Sequence, residues 1–579
     1  MKRNDIILRK KFIHYLLPAM LTTAALSLSE FADSMIVANL LGNSGMSIVQ
    51  LGTPIIFVAA MAYILIGNGG STLYAISLGQ RDNERAGKVF MVSAISSVII
   101  GLLLFTLGFL FFSPLSHLLC KSQELFEPFN QYMSVLLFSV PFLVVILSLV
   151  SFLAPSGAPQ LATVVNIIAN VINIVMDYVY IHFFGMGVEG AAYATLTGYI
   201  VAAVPLLLAL FSKKLNLKKR FPGKNAISLF KEIVGMGSSF SASQLSFAIR
   251  FAFCNYIAAR YGGEAGIIAL SVCVQAWSIS SIFLGAAIEA SSPIIAMLHG
   301  QKDFQGERLV LRTSFLYQLG LAAICVAFFC LCPRLFASFY HVTEEPELSI
   351  VIHALYIFTP VFLFRAIYIQ LMKYIQILGF KKYALFISLF DGFAGLVPIA
   401  AILCLVFNLD GLWLAHLVTG TILLVICLFS NLFIAKKSKG RLAGVLLSEK
   451  SIENSPVLDL TIFDNNQEMI NVSEKTRKSL EEYGIDQKTA TLVSVLVEES
   501  ILYTKNRGKK QDWIDILLRA YENRIELDFR SLHSGGNPDE KDERDIAENI
   551  RLLKGLASKI EYDYIMGMNS MKVTLLKRV

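Results

Sequence analysis

Charge is what this sequence has least of. Asp, Glu, Lys and Arg make up 16% of its 579 residues, against 55% hydrophobic ones, where a water-soluble domain carries about 25% charged residues. That excludes a single water-soluble globule. The deficit is also local. The first three quarters of the chain are apolar stretches, most of them long enough to cross a bilayer core of ~30 Å. From Lys436 onward the sequence reads as ordinary water-soluble protein. Cysteine is sparse as well. Cys120, Cys254, Cys273, Cys325, Cys330, Cys332, Cys404 and Cys427 lie in or beside apolar segments without metal-ligand spacing, which speaks against a thiolate metal centre and for packing. The net charge of +7 would suit a nucleic-acid partner, but Lys and Arg cluster in the short connections between apolar runs. There they orient a membrane protein, and no nucleic acid is expected. The basic stretch Met1 to Lys11 is followed by no small-residue cleavage site, so the first apolar run reads as a retained helix.

What is present is a set of hydrophobic runs at 12–41, 49–78, 88–112, 130–154, 160–183, 187–211, 229–259, 266–298, 310–333, 349–375, 382–407 and 411–435, numbered here as helices 1 to 12. The expected fold is an all-α integral membrane protein with two six-helix transmembrane bundles, 1–220 and 221–440. A soluble α/β sandwich follows at 448–579. Nearly all connecting Lys and Arg fall on the side of the N-terminus, with the densest group (Lys213, Lys214, Lys218, Lys219, Arg220, Lys224) midway. That asymmetry predicts a multi-pass protein of the plasma (inner) membrane with both termini cytoplasmic.

The halves repeat. Gly79-Gln80-Arg81-Asp82-Asn83-Glu84-Arg85 follows helix 2, and Gly300-Gln301-Lys302-Asp303-Phe304-Gln305-Gly306-Glu307-Arg308 follows helix 8. Gly187-Val188-Glu189-Gly190-Ala191-Ala192 is echoed by Leu409-Asp410-Gly411-Leu412-Trp413-Leu414. Six crossings return the chain to its starting side, so the repeat is parallel, and substrate normally binds between such halves.

Pro18, the run Phe31-Ala32-Asp33-Ser34-Met35-Ile36-Val37-Ala38-Asn39-Leu40-Leu41-Gly42, the Gly79 loop, Asn173-Ile174-Val175-Met176-Asp177 and Gly190-Ala191-Ala192-Tyr193-Ala194-Thr195 stand in order along the chain. Over residues 10 to 437 this pattern resembles the multidrug and toxic compound extrusion (MATE) family of efflux antiporters. The resemblance implies two bundles in a V, small amphipathic substrates that are often cationic, inward H⁺ or Na⁺ flow as the driving force, and no cofactor or enzymatic activity. Lipid-linked oligosaccharide flippases share the fold, so a flippase of amphiphiles remains open, as does a transporter-like sensor that signals through its soluble domain.

A carboxylate in a spanning helix costs roughly 3 kcal/mol on insertion scales and needs a reason. Asp33 lies late in helix 1 and Asp177 late in helix 5, both in the outer half of the membrane. Asn173 shares a helix face with Asp177, and Thr195 enters helix 6 at similar depth. Four oxygen-bearing side chains can hold a small cation, or a proton between close carboxylates, and the resemblance implies the same ion-coupling role for these four. The alternative is a helix cap at Asp33 and an interhelical bond at Asp177. Pro18 would kink helix 1. In the second half Arg250, Glu289, Arg365 and Asp391 lie inside apolar runs, where unpaired charges are expensive. They are expected to form at least one Arg–acid pair, structural or gating. Where some family members place an acid in helix 7, this chain has only Arg250.

After residue 448 the pattern predicts a helix at 486–505, strands at 512–520 and 526–530, a helix at 540–558 and strands at 559–564 and 572–577. With Val497-Glu498-Glu499 on the first helix and Asn569…Lys572-Val573-Thr574-Leu575 closing, it resembles the ATP-binding fold of histidine kinases and anti-sigma-factor kinases in degenerate form. Tyr503 stands where that family has its magnesium-binding Asn, and Ser531-Leu532-His533-Ser534-Gly535-Gly536-Asn537 replaces the Asp-x-Gly-x-Gly loop. No ATP turnover is expected from such a site. The domain would instead dock a cytoplasmic protein partner.

Overall fold

The computed structural model describes every residue except 1–5, 121, 213–214, 216, 341, 439–441, 444–447, 450–456, 464–465, 508–512, 533–552 and 577–579. The chain divides into two compact units. One holds His14–Gln301 and Leu311–Ser430; the other holds Met1–Ile13, Lys302–Val310 and Asn431–Val579.

The larger unit is helical. Among the described residues 11 helices are long and apolar enough to cross a membrane. One of them, Gly223–Gly300, is 78 residues long, which at about 1.5 Å per residue far outruns a bilayer. It breaks at Gly263, where φ is 57° and ψ −141°, a conformation open to glycine and strained for other residues. It is therefore two crossings, which brings the number among the described residues to the expected 12. Large apolar side chains point outward along them, with Phe211 81%, Leu331 81% and Leu405 77% exposed. Surface of that kind calls for lipid rather than water, and the protein is a multi-pass membrane protein.

The internal repeat is visible in the backbone. Left-handed residues recur at one constant spacing between the halves: Gly42 and Gly263, Arg81 and Lys302, Gly187 and Asn408. The turn after helix 2 is capped by Asp82, whose carboxylate accepts from Arg85 N at 2.8 Å. Its counterpart after helix 8 is capped by Asp303, which accepts from Gly306 N at 2.9 Å. The halves meet where two glycines face each other. A Cβ on Gly79 would collide with Met297 O, and one on Gly300 with Ile76 O. Only residues without a side chain let these backbones approach so closely.

In the smaller unit, strands β1 (Leu458–Phe463), β2 (Trp513–Ala520), β3 (Arg524–Ser531), β4 (Lys559–Ile565) and β5 (Met568–Leu576) form an antiparallel sheet in the order β1-β2-β3-β5-β4. Met566 and Gly567, both with positive φ, make the two-residue turn that joins β4 to β5. Helices Asn466–Glu482 and Gln487–Arg507 cover one face, with Leu480, Val493, Val497 and Ile501 packed on Ile516, Leu527 and Val573. This is the expected α/β sandwich, with two additions. β1 and the helix Asn466–Glu482 precede the elements read from the sequence. The expected helix at 540–558 lies mostly outside the described residues, which show a helical turn only at 553–556.

The other face of the sheet is charged and yet buried. Arg519 pairs with Asp528 at 2.9 Å and donates to Lys302 O at 3.2 Å. Arg530 pairs with Asp303 at 2.5 Å, the two side chains being 3% and 1% exposed. The segment Lys302–Val310, which leads into helix 9, thus belongs to the same compact unit as the sheet.

Candidate functional site

Helix 5 (Pro159–Tyr178) ends in a π turn, Val179–Phe183. Wide turns of this kind re-aim side chains and recur at functional sites. Asp177, just before the turn, is fully buried. Its carboxyl lies close enough to that of Asp33 for the two charges to feel each other, and among the described residues no hydrogen-bond partner reaches either Asp177 oxygen. One helical turn away, Asn173 Nδ2 donates to Thr195 Oγ1 at 3.4 Å, and Thr195 itself donates to Ala191 O at 3.1 Å. The structure therefore brings the four residues together as two pairs along one helix. Tyr132, 3% exposed, lies close enough to feel both carboxylates. It closes the site together with Val37, Ile181 and Ala192 of the same apolar cluster.

Two neighbouring carboxylates, with no donor on one of them, repel each other when both are charged. At ~4 Å and an effective dielectric of ~20 the repulsion is about 4 kcal/mol. A proton shared between them, or a small cation, relieves it. Helices 1 and 5 are also tied further along. Thr163 Oγ1 donates to Pro18 O at 2.9 Å, and Thr22 Oγ1 donates to Thr163 Oγ1 at 3.0 Å. Pro18 is buried and lines a cavity of about 360 Å³ with Thr22, Asn68, Thr163, Asn166, Glu289 and Lys373.

In the second bundle Arg250, Glu289, Arg365 and Asp391 all line a second cavity, of about 350 Å³. The expected Arg–acid ion pair is not formed among them. Asp391, in the π turn Phe390–Ala394, instead accepts from Tyr368 Oη at 2.5 Å. Arg365 donates to Ser281 Oγ at 3.1 Å and lies 3.6 Å from the centroid of the Trp277 ring. Arg250 lies 4.6 Å from the same centroid and 5.2 Å from that of Phe247. The physical reason is that aromatic faces and a phenol, which the sequence reading did not assign, take the places expected for the opposite charges. Glu289 opens into both cavities, and the charge it faces is Lys373. Lys373 is 4% exposed, sits 4.6 Å from the Phe240 ring centroid and donates to Thr72 Oγ1 at 3.4 Å. The sequence reading missed Lys373, although a lysine inside the apolar run of helix 10 is itself a signal.

In the C-terminal unit Tyr503 is 6% exposed and stacks edge-on against Tyr562, ring centroids 6.0 Å apart. It is a core residue of the sandwich. His533 and the rest of the 533–537 loop lie outside the described residues.

Several known proteins are similar to this chain. The multidrug export protein MepA of Staphylococcus haemolyticus is 26% identical over 294 residues, 50% of this chain and 64% of MepA. The probable multidrug resistance protein YoeA of Bacillus subtilis is 24% identical over 224 residues, 38% of this chain and 48% of YoeA. The chain thus spans less than two thirds of the length of these curated relatives. Among solved structures, MATE in the bent conformation superimposes with a TM-score of 0.68 at 22% identity, covering 76% of this chain and 99% of that one. A MOP superfamily transporter from Pyrococcus furiosus gives a TM-score of 0.67, also at 22% identity, covering 72% and 94%. Likeness at that identity speaks for the fold of the helical unit. The MatE family model matches residues 18–179 and 240–402, more than half of the chain and corresponding stretches of both repeats. This protein belongs to the MatE family.

Proposed function

We propose that this protein is a secondary active exporter of small amphipathic compounds, driven by exchange with H⁺ or Na⁺ across the plasma membrane. Asp33, Asn173, Asp177 and Thr195 are its coupling site. The observation that carries this reading is a fully buried Asp177, without a hydrogen-bond partner on either oxygen, beside Asp33. Loading with a proton or cation lets helices 1 and 5 close on each other, and release makes two like charges repel. Because Thr163 ties the same helices at Pro18 and Thr22, the movement reaches the cavity beside Pro18, where substrate is taken up or let go. The names of MepA and YoeA, both tied to drug export or resistance, agree with a xenobiotic substrate. The repeated halves 1–220 and 221–440 form the translocation unit, and both termini face the cytoplasm. The sandwich after residue 448 is a degenerate ATPase-like domain without turnover that docks a cytoplasmic protein. A tyrosine held in its core at position 503 offers no amide oxygen to magnesium.

The test is efflux of a fluorescent dye from proteoliposomes holding the purified full chain under an imposed H⁺ or Na⁺ gradient. Efflux that follows one gradient and collapses with an ionophore is expected. Gradient-independent leakage, or no flux in either gradient, would overturn the reading.

A further inference from the structure

The second-bundle cavity has an arrangement of charge that export alone does not call for. Arg250 is 8% exposed and lines the cavity. Among the described residues no carboxylate, carbonyl or hydroxyl accepts from its guanidinium, whose partners are the ring faces of Trp277 and Phe247. Arg365 rests on the same Trp277 and is near enough to Arg250 to feel its like charge. One of its NH groups is bonded to Ser281, while its Nε is buried without an acceptor. A guanidinium carries five N–H donors, and burying them unmet is costly. The nearby carboxylate, Asp391, is already engaged by Tyr368. The other acid, Glu289, faces Lys373. The charged groups that line the cavity are thus two guanidiniums and two carboxylates, and both carboxylates face other partners, Tyr368 for Asp391 and Lys373, which lines the neighbouring cavity, for Glu289.

Aromatic stacking holds a guanidinium by its face and leaves its edge free. That edge is the part that grips a planar or tetrahedral oxyanion through paired N–H···O bonds. The rest of the cavity wall is apolar or aromatic: Ile64, Phe240, Leu284, Ile288, Ile369 and Met372. A space of about 350 Å³ lies at the lower end of the ~300–1,000 Å³ typical of small-molecule sites.

We infer that this cavity binds the anionic group, a carboxylate, sulfonate or phosphate, of an amphipathic substrate between Arg250 and Arg365, with the apolar body against Phe240 and its neighbours. The inference rests on the export reading and names its substrate class: acidic or zwitterionic amphiphiles rather than simple cations. Arg250 is the recognition residue, and Arg365, anchored by Ser281, is the second clamp.

The test uses two dyes that share a xanthene ring system and differ in charge, anionic fluorescein and cationic rhodamine 6G. Each is titrated by fluorescence anisotropy against the purified full-length protein in neutral detergent. Fluorescein is expected to bind saturably. R250Q should weaken it about tenfold or more, R250K should restore part of the loss, and rhodamine 6G should be unaffected by R250Q. Should R250Q fail to fold, Asp391→Asn supplies the opposite test. Removing the competing carboxylate should tighten fluorescein binding several-fold. Rhodamine 6G binding without fluorescein binding, equal loss of both dyes in R250Q, or unchanged fluorescein affinity in D391N would each overturn the inference. The two readings fail separately. Fluorescein bound but never moved by a gradient sinks export and keeps the site. Gradient-driven rhodamine 6G efflux without fluorescein binding does the reverse.

Discussion

Replacing Arg530 with alanine should destabilise the C-terminal unit far more than an ordinary surface change. Asp303 is 2% exposed and Arg530 3% exposed, and their side chains meet at 2.5 Å. Removing one partner of a buried ion pair leaves the other's charge uncompensated, which costs about 3–5 kcal/mol. Asp303→Asn removes the charge and keeps an oxygen that still accepts from Gly306 N, the cap seen at 2.9 Å. Its cost is therefore the loss of pairing for Arg530, of similar size. The double variant R530A/D303N removes both charges and leaves neither one buried and unpaired, so it should cost less than the two single changes together. The two single changes should thus be strongly non-additive, with a coupling of about 2 kcal/mol or more. The first repeat supplies an internal control. Asp82 caps its turn in the same way but is exposed, so Asp82→Ala should cost about 0.5–2 kcal/mol, as for any lost cap. Urea unfolding of the full chain in detergent, followed through Trp513 in β2, measures the three variants of the pair, and Trp277 and Trp413 of the helical unit follow Asp82→Ala. Trp513 meets Phe463 of β1 edge-on, ring centroids 5.3 Å apart, and reports on the sheet directly. Additive single changes, or an R530A shift below about 0.5 kcal/mol, would refute the argument that this pair holds the entrance of helix 9 to the sheet.

Further outcomes are expected elsewhere. Asp33→Asn and Asp177→Asn should each abolish gradient-driven dye efflux while the purified protein stays monodisperse, since Asn keeps the shape and loses the exchangeable charge; full efflux by the double variant would exclude the coupling site. Gly79→Leu or Gly300→Leu should break the close crossing of helices 2 and 8 and cause aggregation on size-exclusion chromatography, because each added Cβ meets a backbone carbonyl of the opposite helix; a normally eluting, dye-exporting variant would count against it. In the C-terminal unit, burial of Glu526 opposes its ionisation, but Lys572 and Arg524 outweigh that and hold its carboxyl below the usual carboxylate range. A depressed folded-state value stabilises above the unfolded pKa of ~4.3 and is lost as pH falls through the folded one, so the urea midpoint should drop on acidification, and less so in Lys572→Gln. Calorimetry of the full chain with Mg²⁺ and ATP should show no binding; micromolar affinity would overturn the degenerate reading of Tyr503.

Much of the architecture was legible in the residues because the bilayer imposes a length and a polarity that leave few readings. The apolar runs gave the crossings. The twin Gly79 and Gly300 loops gave the repeat, which the backbone repeats in the left-handed residues Arg81 and Lys302. Asp33 and Asp177 stood out because a carboxylate in an apolar helix demands a reason, and i to i+4 spacing puts Asn173 on the same face as Asp177; the coupling role of these residues with Thr195 is the proposal made above. Partner choice was not legible. Arg250 and Arg365 looked like halves of ion pairs, whereas packing placed Trp277 beside both and gave Asp391 to Tyr368. Phe and Tyr are so frequent in this chain, 41 and 21 respectively, that no local pattern distinguishes a ring that holds a cation from one that faces lipid. Nor could periodicity show that the charged strand positions Arg519 and Arg530 are buried. A charged sheet face ordinarily means solvent, and only the return of Lys302–Val310 into the same compact unit makes it an interior. Local sequence determines which segments cross and which side chains carry charge; contacts between residues hundreds of positions apart decide what those charges meet.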